Sequence, residues 1–273
     1  MNKLIPVLIM QVALLAACSK KPPEDFASHM NVPFDHRVPE YFETYLAEHP
    51  DDGDHRAAAL VYYDRRERNP ERLKYHTFEM IERRPWNLNI YFENVWLLYS
   101  DPAYRSNVIV RLERKASEPN VKHGTFWNLA LTCKTGVMPP HDGTPEGRAK
   151  FLKSYGLKDD APIPTSTDPI LVQKTEEYFR KAISLAKDDT FHVGLYSKQL
   201  AHFLVKLGRD SDAIAVCESA LAHSKRHRPD KHLRSLVEDQ TNELKNLKNL
   251  IKKIKEGPAK PRKIFGTDSF RPA

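Results

Sequence analysis

Glycine is scarce, at 10 of 273 residues. A nucleotide-binding sheet needs several glycines at its phosphate loops and turns, so that class of fold is disfavoured and helix is favoured. Phosphate-loop, H-E-x-x-H and G-x-S-x-G patterns are all missing, which removes the commonest signatures of nucleotide, zinc-hydrolase and serine-nucleophile chemistry. No apolar run reaches the roughly 20 residues that cross a bilayer as a helix. Cysteine occurs three times. Cys133 and Cys217 lie in apolar-periodic stretches and read as small buried residues, with a disulfide between them left open. Taken together with the repeat pattern below, these absences lead to the expectation of a non-enzymatic chain with no catalytic residue, no cofactor and no metal.

What is present begins with Met1-Asn2-Lys3 and a short apolar core that ends in Leu15-Ala16-Ala17-Cys18. A basic start, an apolar centre and small residues form the layout of a secretory signal. The last four residues resemble the lipobox of bacterial lipoproteins. That resemblance implies that residues 1–17 are removed, that Cys18 carries acyl chains such as palmitate, and that several chains together make a stable membrane anchor. Ser19 after the cysteine points, by the same resemblance, to an outer-membrane location facing the periplasm. Residues 18–34 are polar and proline-bearing and read as a flexible linker.

The net charge of +7 is unevenly spread. Residues 1–224 carry 29 Lys+Arg and 30 Asp+Glu, so the excess lies in the C-terminal part. There Lys245, Lys248, Lys252, Lys253, Lys255, Lys260, Arg262 and Lys263 form a basic stretch. Beside a membrane such a stretch attracts anionic lipid or envelope polymer. Nucleic acid is not expected as a partner, because the expected compartment holds little of it.

Between Tyr178 and Ser224 two helical stretches flank Gly208, with Ala201 in the first and Ala213 and Ala220 in the second. This pattern resembles the tetratricopeptide repeat, in which paired helices of about 34 residues per unit meet at small side chains. Ala201, Gly208, Ala213 and Ala220 are the packing positions; a larger residue would widen the usual 8–10 Å helix spacing. Pro50, Pro85 and Pro119 follow helical stretches at 41–49, 70–84 and 103–118 and mark a similar period. Stretches 56–66 and 87–99 are then first helices of two units, and Trp127-Asn128-Leu129-Ala130 opens another. The fold class implied is all-α, a right-handed solenoid of helical hairpins over residues 35–228. Residues 138–169, rich in proline and glycine, form an insertion, with a short helix around Phe151, Leu152, Tyr155 and Leu157. From Pro229 an apolar seam of alternating four- and three-residue steps predicts one long helix to about residue 256. A capping helix is the simpler reading and a dimeric coiled coil the other. Residues 257–273 read as a basic flexible tail.

In the repeat family the first helix of each unit lines a groove. Lys198, His202 and Lys206 recur every four residues and share a face, with Lys134 and Trp127 expected from the neighbouring first helix. The resemblance implies a groove for an acidic protein or peptide end. His202 stands where clamp-type members carry an amide. Two further constellations are weaker. Glu218-Ser219 matches the dipeptide of helical peptidoglycan-cleaving enzymes, but Glu218 falls within a repeat helix. His223 and His227 have zinc-ligand spacing, yet Lys225, Arg226 and Arg228 surround them. The function expected is therefore a membrane-tethered envelope scaffold, with a peptidoglycan-cleaving enzyme or a binder of anionic polymer as the alternatives.

Overall fold

A computed structural model describes residues 37–88, 96–138, 145–154, 168–226 and 234–256. Among these residues the chain is all-helical. Its helices are α1 (Arg37–Glu48), α2 (Gly53–Arg65), α3 (Pro70–Arg83), α4 (Trp96–Ser100), α5 (Pro102–Ala116) and α6 (His123–Val137). There follow α7 (Pro145–Ser154), α8 (Pro169–Leu185), α9 (Thr190–Lys206), α10 (Asp210–Arg226) and α11 (Arg234–Lys255). A 3-10 turn, Pro85–Asn87, follows α3. No described helix is long and apolar enough to cross a membrane.

Short start signals set many of these boundaries. Asn69-Pro70, Asp101-Pro102 and Asp168-Pro169 each place a side-chain acceptor just before a proline. The acceptor takes a backbone N–H of the first turn, and proline supplies a helical φ without an N–H to satisfy. Asp52 and Asp189 cap α2 and α9 in the same way. At the end of α9, Gly208 adopts φ 76°. Its N–H reaches Val205 O and that of Arg209 reaches Leu204 O, at 3.0 and 2.9 Å. This left-handed closure favours glycine, as its place in the sequence suggested.

Packing proceeds along the chain, each helix meeting its near neighbours: α1 on α2, α2 on α3, α3 on α5, α5 on α6, α6 on α8, α8 on α9 and α9 on α10. One apolar core runs through them from Phe42 to Ile254. Helix α6 is enclosed on nearly all sides and buries twelve of its fifteen residues. Its start is pressed on the 3-10 turn. Asn128 Nδ2 donates to Pro85 O at 2.6 Å, and a Cβ at Gly124 would sit 2.6 Å from Trp86 O. Asn87 therefore closes a docked turn instead of opening a repeat helix, and the helix expected over 87–99 appears only from Trp96 within the described residues.

The alanines of the α9–α10 contact are buried: Ala201 and Ala213 are 0% exposed and Ala220 4%. Cys133 and Cys217 are both buried and unbonded. Burial pushes their thiols up, to about 12 and about 11 respectively. Helix α11 lies on α9 and α10, burying Leu247, Leu250 and Ile254 and half-burying Ile251. Helix α7 falls inside the expected insertion and buries Leu152.

The first three helices enclose a polar cluster beside their apolar contact. Arg56 and His76 are 2% and 1% exposed. Arg56 donates to Pro50 O at 2.9 Å and its Nη1 lies 3.2 Å from His76 Nδ1. His76 Nε2 is 3.0 Å from Glu43 Oε1, which also accepts from Tyr63 at 2.7 Å. Arg72 pairs with the other Glu43 oxygen at 2.9 Å. Burial tends to raise the Glu43 carboxyl, but hydrogen bonds from His76 and Tyr63, helped by Arg72, hold it below its usual range. Burial lowers His76 and outweighs the opposing effect of Glu43.

Candidate functional site

Two surfaces near the α6–α9 contact carry chemistry. The first is the lysine face anticipated from spacing. His202 and Lys206 are exposed on α9, and Lys198 one turn earlier is half-buried. Lys134, half-buried on α6, reaches Gln199 Oε1 at 3.3 Å, which places it beside the same stretch of α9.

Trp127 does not join them. It is 4% exposed, stacks on Tyr196 with ring centroids 4.4 Å apart, and meets Phe179 edge-on. Its assignment to a partner groove is corrected: the ring belongs to the core. A helix enclosed on nearly all sides leaves Trp127 no solvent face, and the four-residue periodicity of α9 cannot be extended to α6. Its indole Nε1 has no hydrogen-bond partner among the described residues.

The second surface was not expected. His123 opens α6, while Asp189 caps α9 and His192 lies in its first turn. Each of these residues can offer one ligand atom such that all three atoms lie within 4.8 Å of one another. Asp189 Oδ1 accepts the His192 backbone N–H at 3.1 Å, and Oδ2 lies 2.5 Å from His192 Nδ1. His123 Nδ1 lies 2.9 Å from the Tyr196 hydroxyl, and the two imidazole centroids are 4.8 Å apart.

The electrostatics of the cluster are asymmetric. Burial, with His192 and Lys122 adding to it, lowers the His123 pKa. Burial would raise the Asp189 carboxyl, but hydrogen bonds from the His192 ring and backbone outweigh it and keep Asp189 low. Burial pushes the Tyr196 phenol up. Near neutral pH the cluster thus pairs an uncharged His123 with an ionised Asp189.

The only local sequence signal for this cluster was Asp189-x-x-His192, a spacing that helix capping alone explains. His123 is separated from Tyr196 by 73 positions in the chain. Only the packing of α6 beside α9 brings these groups together.

The basic C-terminal stretch is partly described. Lys245, Lys248, Lys252, Lys253 and Lys255 are exposed on α11. Lys255 pairs with Glu218 at 3.4 Å, and Lys252 meets Glu256 at 3.7 Å. Glu218 is 56% exposed, unlike the enclosed carboxyl a glycosidic acid requires. Cys18, Lys260, Arg262, Lys263 and His227 lie outside the described residues. The chain matches no protein-family model, no curated protein and no solved structure.

Proposed function

We propose that the chain is a membrane-tethered scaffold of the bacterial envelope. In this reading it is a right-handed stack of tetratricopeptide-like helical hairpins, held to the membrane by an acylated Cys18. It binds an acidic protein or peptide end along α9. The observation that carries the reading is the contrast between the two faces of α9: Ala201 and Leu200 are wholly buried, whereas His202 and Lys206 are exposed. Small residues at the helix contact and cations on the outer face are what a repeat groove for carboxylates requires. Lys134 extends the cationic strip from α6. Helix α11 supports the stack by covering apolar surface of the last hairpin, as a terminal cap does.

Affinity capture from envelope extract tests the groove. Lys198→Glu/Lys206→Glu should lose a partner that the unmodified chain retains, with far-UV circular dichroism unchanged. An identical set of captured partners would overturn it. Acyl labelling tests the anchor separately: Cys18→Ser should lose both label and membrane association.

A second surface has its own support. Lys245, Lys248 and Lys252 follow steps of three and four residues and lie exposed, while Leu247, Leu250 and Ile254 face the core. Binding of anionic vesicles through this strip should weaken as salt rises. No change between low and high salt would remove it.

A further inference from the structure

We propose that His123, Asp189 and His192 bind a divalent transition metal of the zinc class, which fastens the start of α6 to the start of α9. The donor set is two imidazoles and one carboxylate, a nitrogen-rich combination that suits zinc and disfavours calcium and magnesium, which take oxygen ligands. Ligand atoms already lie within 4.8 Å of one another. Tetrahedral zinc with bonds of about 2.0–2.1 Å sets its ligands about 3.3 Å apart. Binding therefore draws the more distant ligand atoms together, while Asp189 and His192, already in contact, move slightly apart.

Each group is also positioned by a partner. Asp189 keeps one oxygen on the His192 backbone N–H at 3.1 Å and turns the other to the His192 ring, 2.5 Å away. A cation entering there takes the place of the hydrogen between Nδ1 and Oδ2: His192 ligates through Nδ1 as the neutral tautomer that carries its one proton on Nε2, and the Nδ1–Oδ2 separation widens. His123 is held through Nδ1 by the Tyr196 hydroxyl at 2.9 Å. With Nδ1–H donating to the phenol oxygen, the lone pair lies on Nε2, which is then the nitrogen left for a metal, the usual outer-partner arrangement of a ligating histidine. Tyr196 is 0% exposed and stacked on Trp127, so it cannot swing away.

Charge and access agree with this assignment. Lys122, next to His123, directs its ammonium over the Trp86 ring at 3.8 Å. His192 and Asp189 are 28% and 43% exposed, which gives an ion a path from solvent. Tyr196 stays a phenol and supplies no anion, so a fourth position remains for water or a donor from a bound partner.

The competing explanation is that Asp189 and His192 only cap α9. Metal titration of the chelator-treated full chain separates the two. Calorimetry with zinc should give one ion per chain, a rise in Tm, and visible d–d absorption when cobalt replaces zinc. Asp189→Asn retains a capping side chain but removes the anionic donor, and should weaken zinc by roughly tenfold or more. His192→Gln and His123→Gln should each abolish the cobalt spectrum. No saturable binding up to millimolar zinc would overturn the proposal. So would binding that survives all three substitutions unchanged, which would place the metal elsewhere, for instance near His223.

Discussion

Helices α1–α3 and helices α9–α10 make the same kind of contact by opposite means. Between α9 and α10 the helices approach because little stands between them: Ala201, Ala213 and Ala220 line the contact with Cys217 enclosed beside them. Among α1–α3 an apolar contact of Phe42, Leu60, Leu73 and Ile81 also encloses Arg56, His76 and Tyr63, joined with Glu43 by hydrogen bonds of 2.7–3.2 Å. The first arrangement depends on size and fails when a side chain grows. The second depends on a complete set of partners and fails when one is removed, because buried polar groups left unpaired are costly.

The largest expected effect tests the polar side of that contrast. Arg56→Met keeps most of the volume but deletes two contacts of a 2% exposed guanidinium. It should destabilise the protein by about 3 kcal/mol, at about 1.5 kcal/mol per charged hydrogen bond. Denaturant unfolding gives the total, and hydrogen exchange should show α1–α3 opening first. The next effect tests the apolar side. Ala213→Leu should cost about 2 kcal/mol by overpacking, with faster exchange confined to α9–α10. If both variants loosen the same helices, the two regions are one cooperative unit and the contrast has no energetic meaning.

Titration sharpens the comparison further. Buried His76 has a lowered pKa, so its stabilising contribution is full above its unfolded value of 6.5 and is lost as pH falls below it. Glu43, held below 4.5, adds to the loss at still lower pH. Cys217 behaves oppositely. Its thiol is raised from 9.0 to about 11, so the unfolded thiol ionises first and stability declines as pH rises above 9.0. Hydrogen exchange in α1–α3 should therefore speed up as pH falls to near 5, with His123 adding a loss of the same sign at the start of α6, whereas exchange in α10, and in α6 through Cys133, should speed up near pH 9.5. Exchange in α1–α3 that is unchanged between pH 7 and pH 5 would contradict this.

The smallest effect belongs to a polar atom that is present but unused. Trp127→Phe removes an indole N–H with no partner among the described residues. It should cost about 1.5 kcal/mol, from the ring volume lost beside Tyr196 and Phe179 and not from a hydrogen bond. A larger loss in thermal unfolding would mean that the indole nitrogen is engaged.

The all-helical character, the Gly208 stop and the buried alanines were legible because each rests on local chemistry: φ preference, side-chain size and periodicity. The Asx-Pro starts of α3, α5 and α8 are legible for the same reason. Trp127 was misjudged because spacing along one helix says which residues share a face, not which faces are covered. Nothing local in the sequence marks Arg56 and His76 for burial; only the fold surrounds them. His123 and His192 are individually unremarkable in sequence, and their meeting depends wholly on how α6 and α9 pack. Tertiary proximity of this kind leaves no trace in a local pattern.

Gly124 has a bearing on the imidazole beside it. With no room for a side chain against the Trp86 carbonyl, that backbone oxygen acts as a ruler for the first turn of α6. Replacing Gly124 would slide His123 off its mark while every donor of the cluster stayed chemically intact. Loss of ion capture could then arise in a molecule whose ligand set reads as complete.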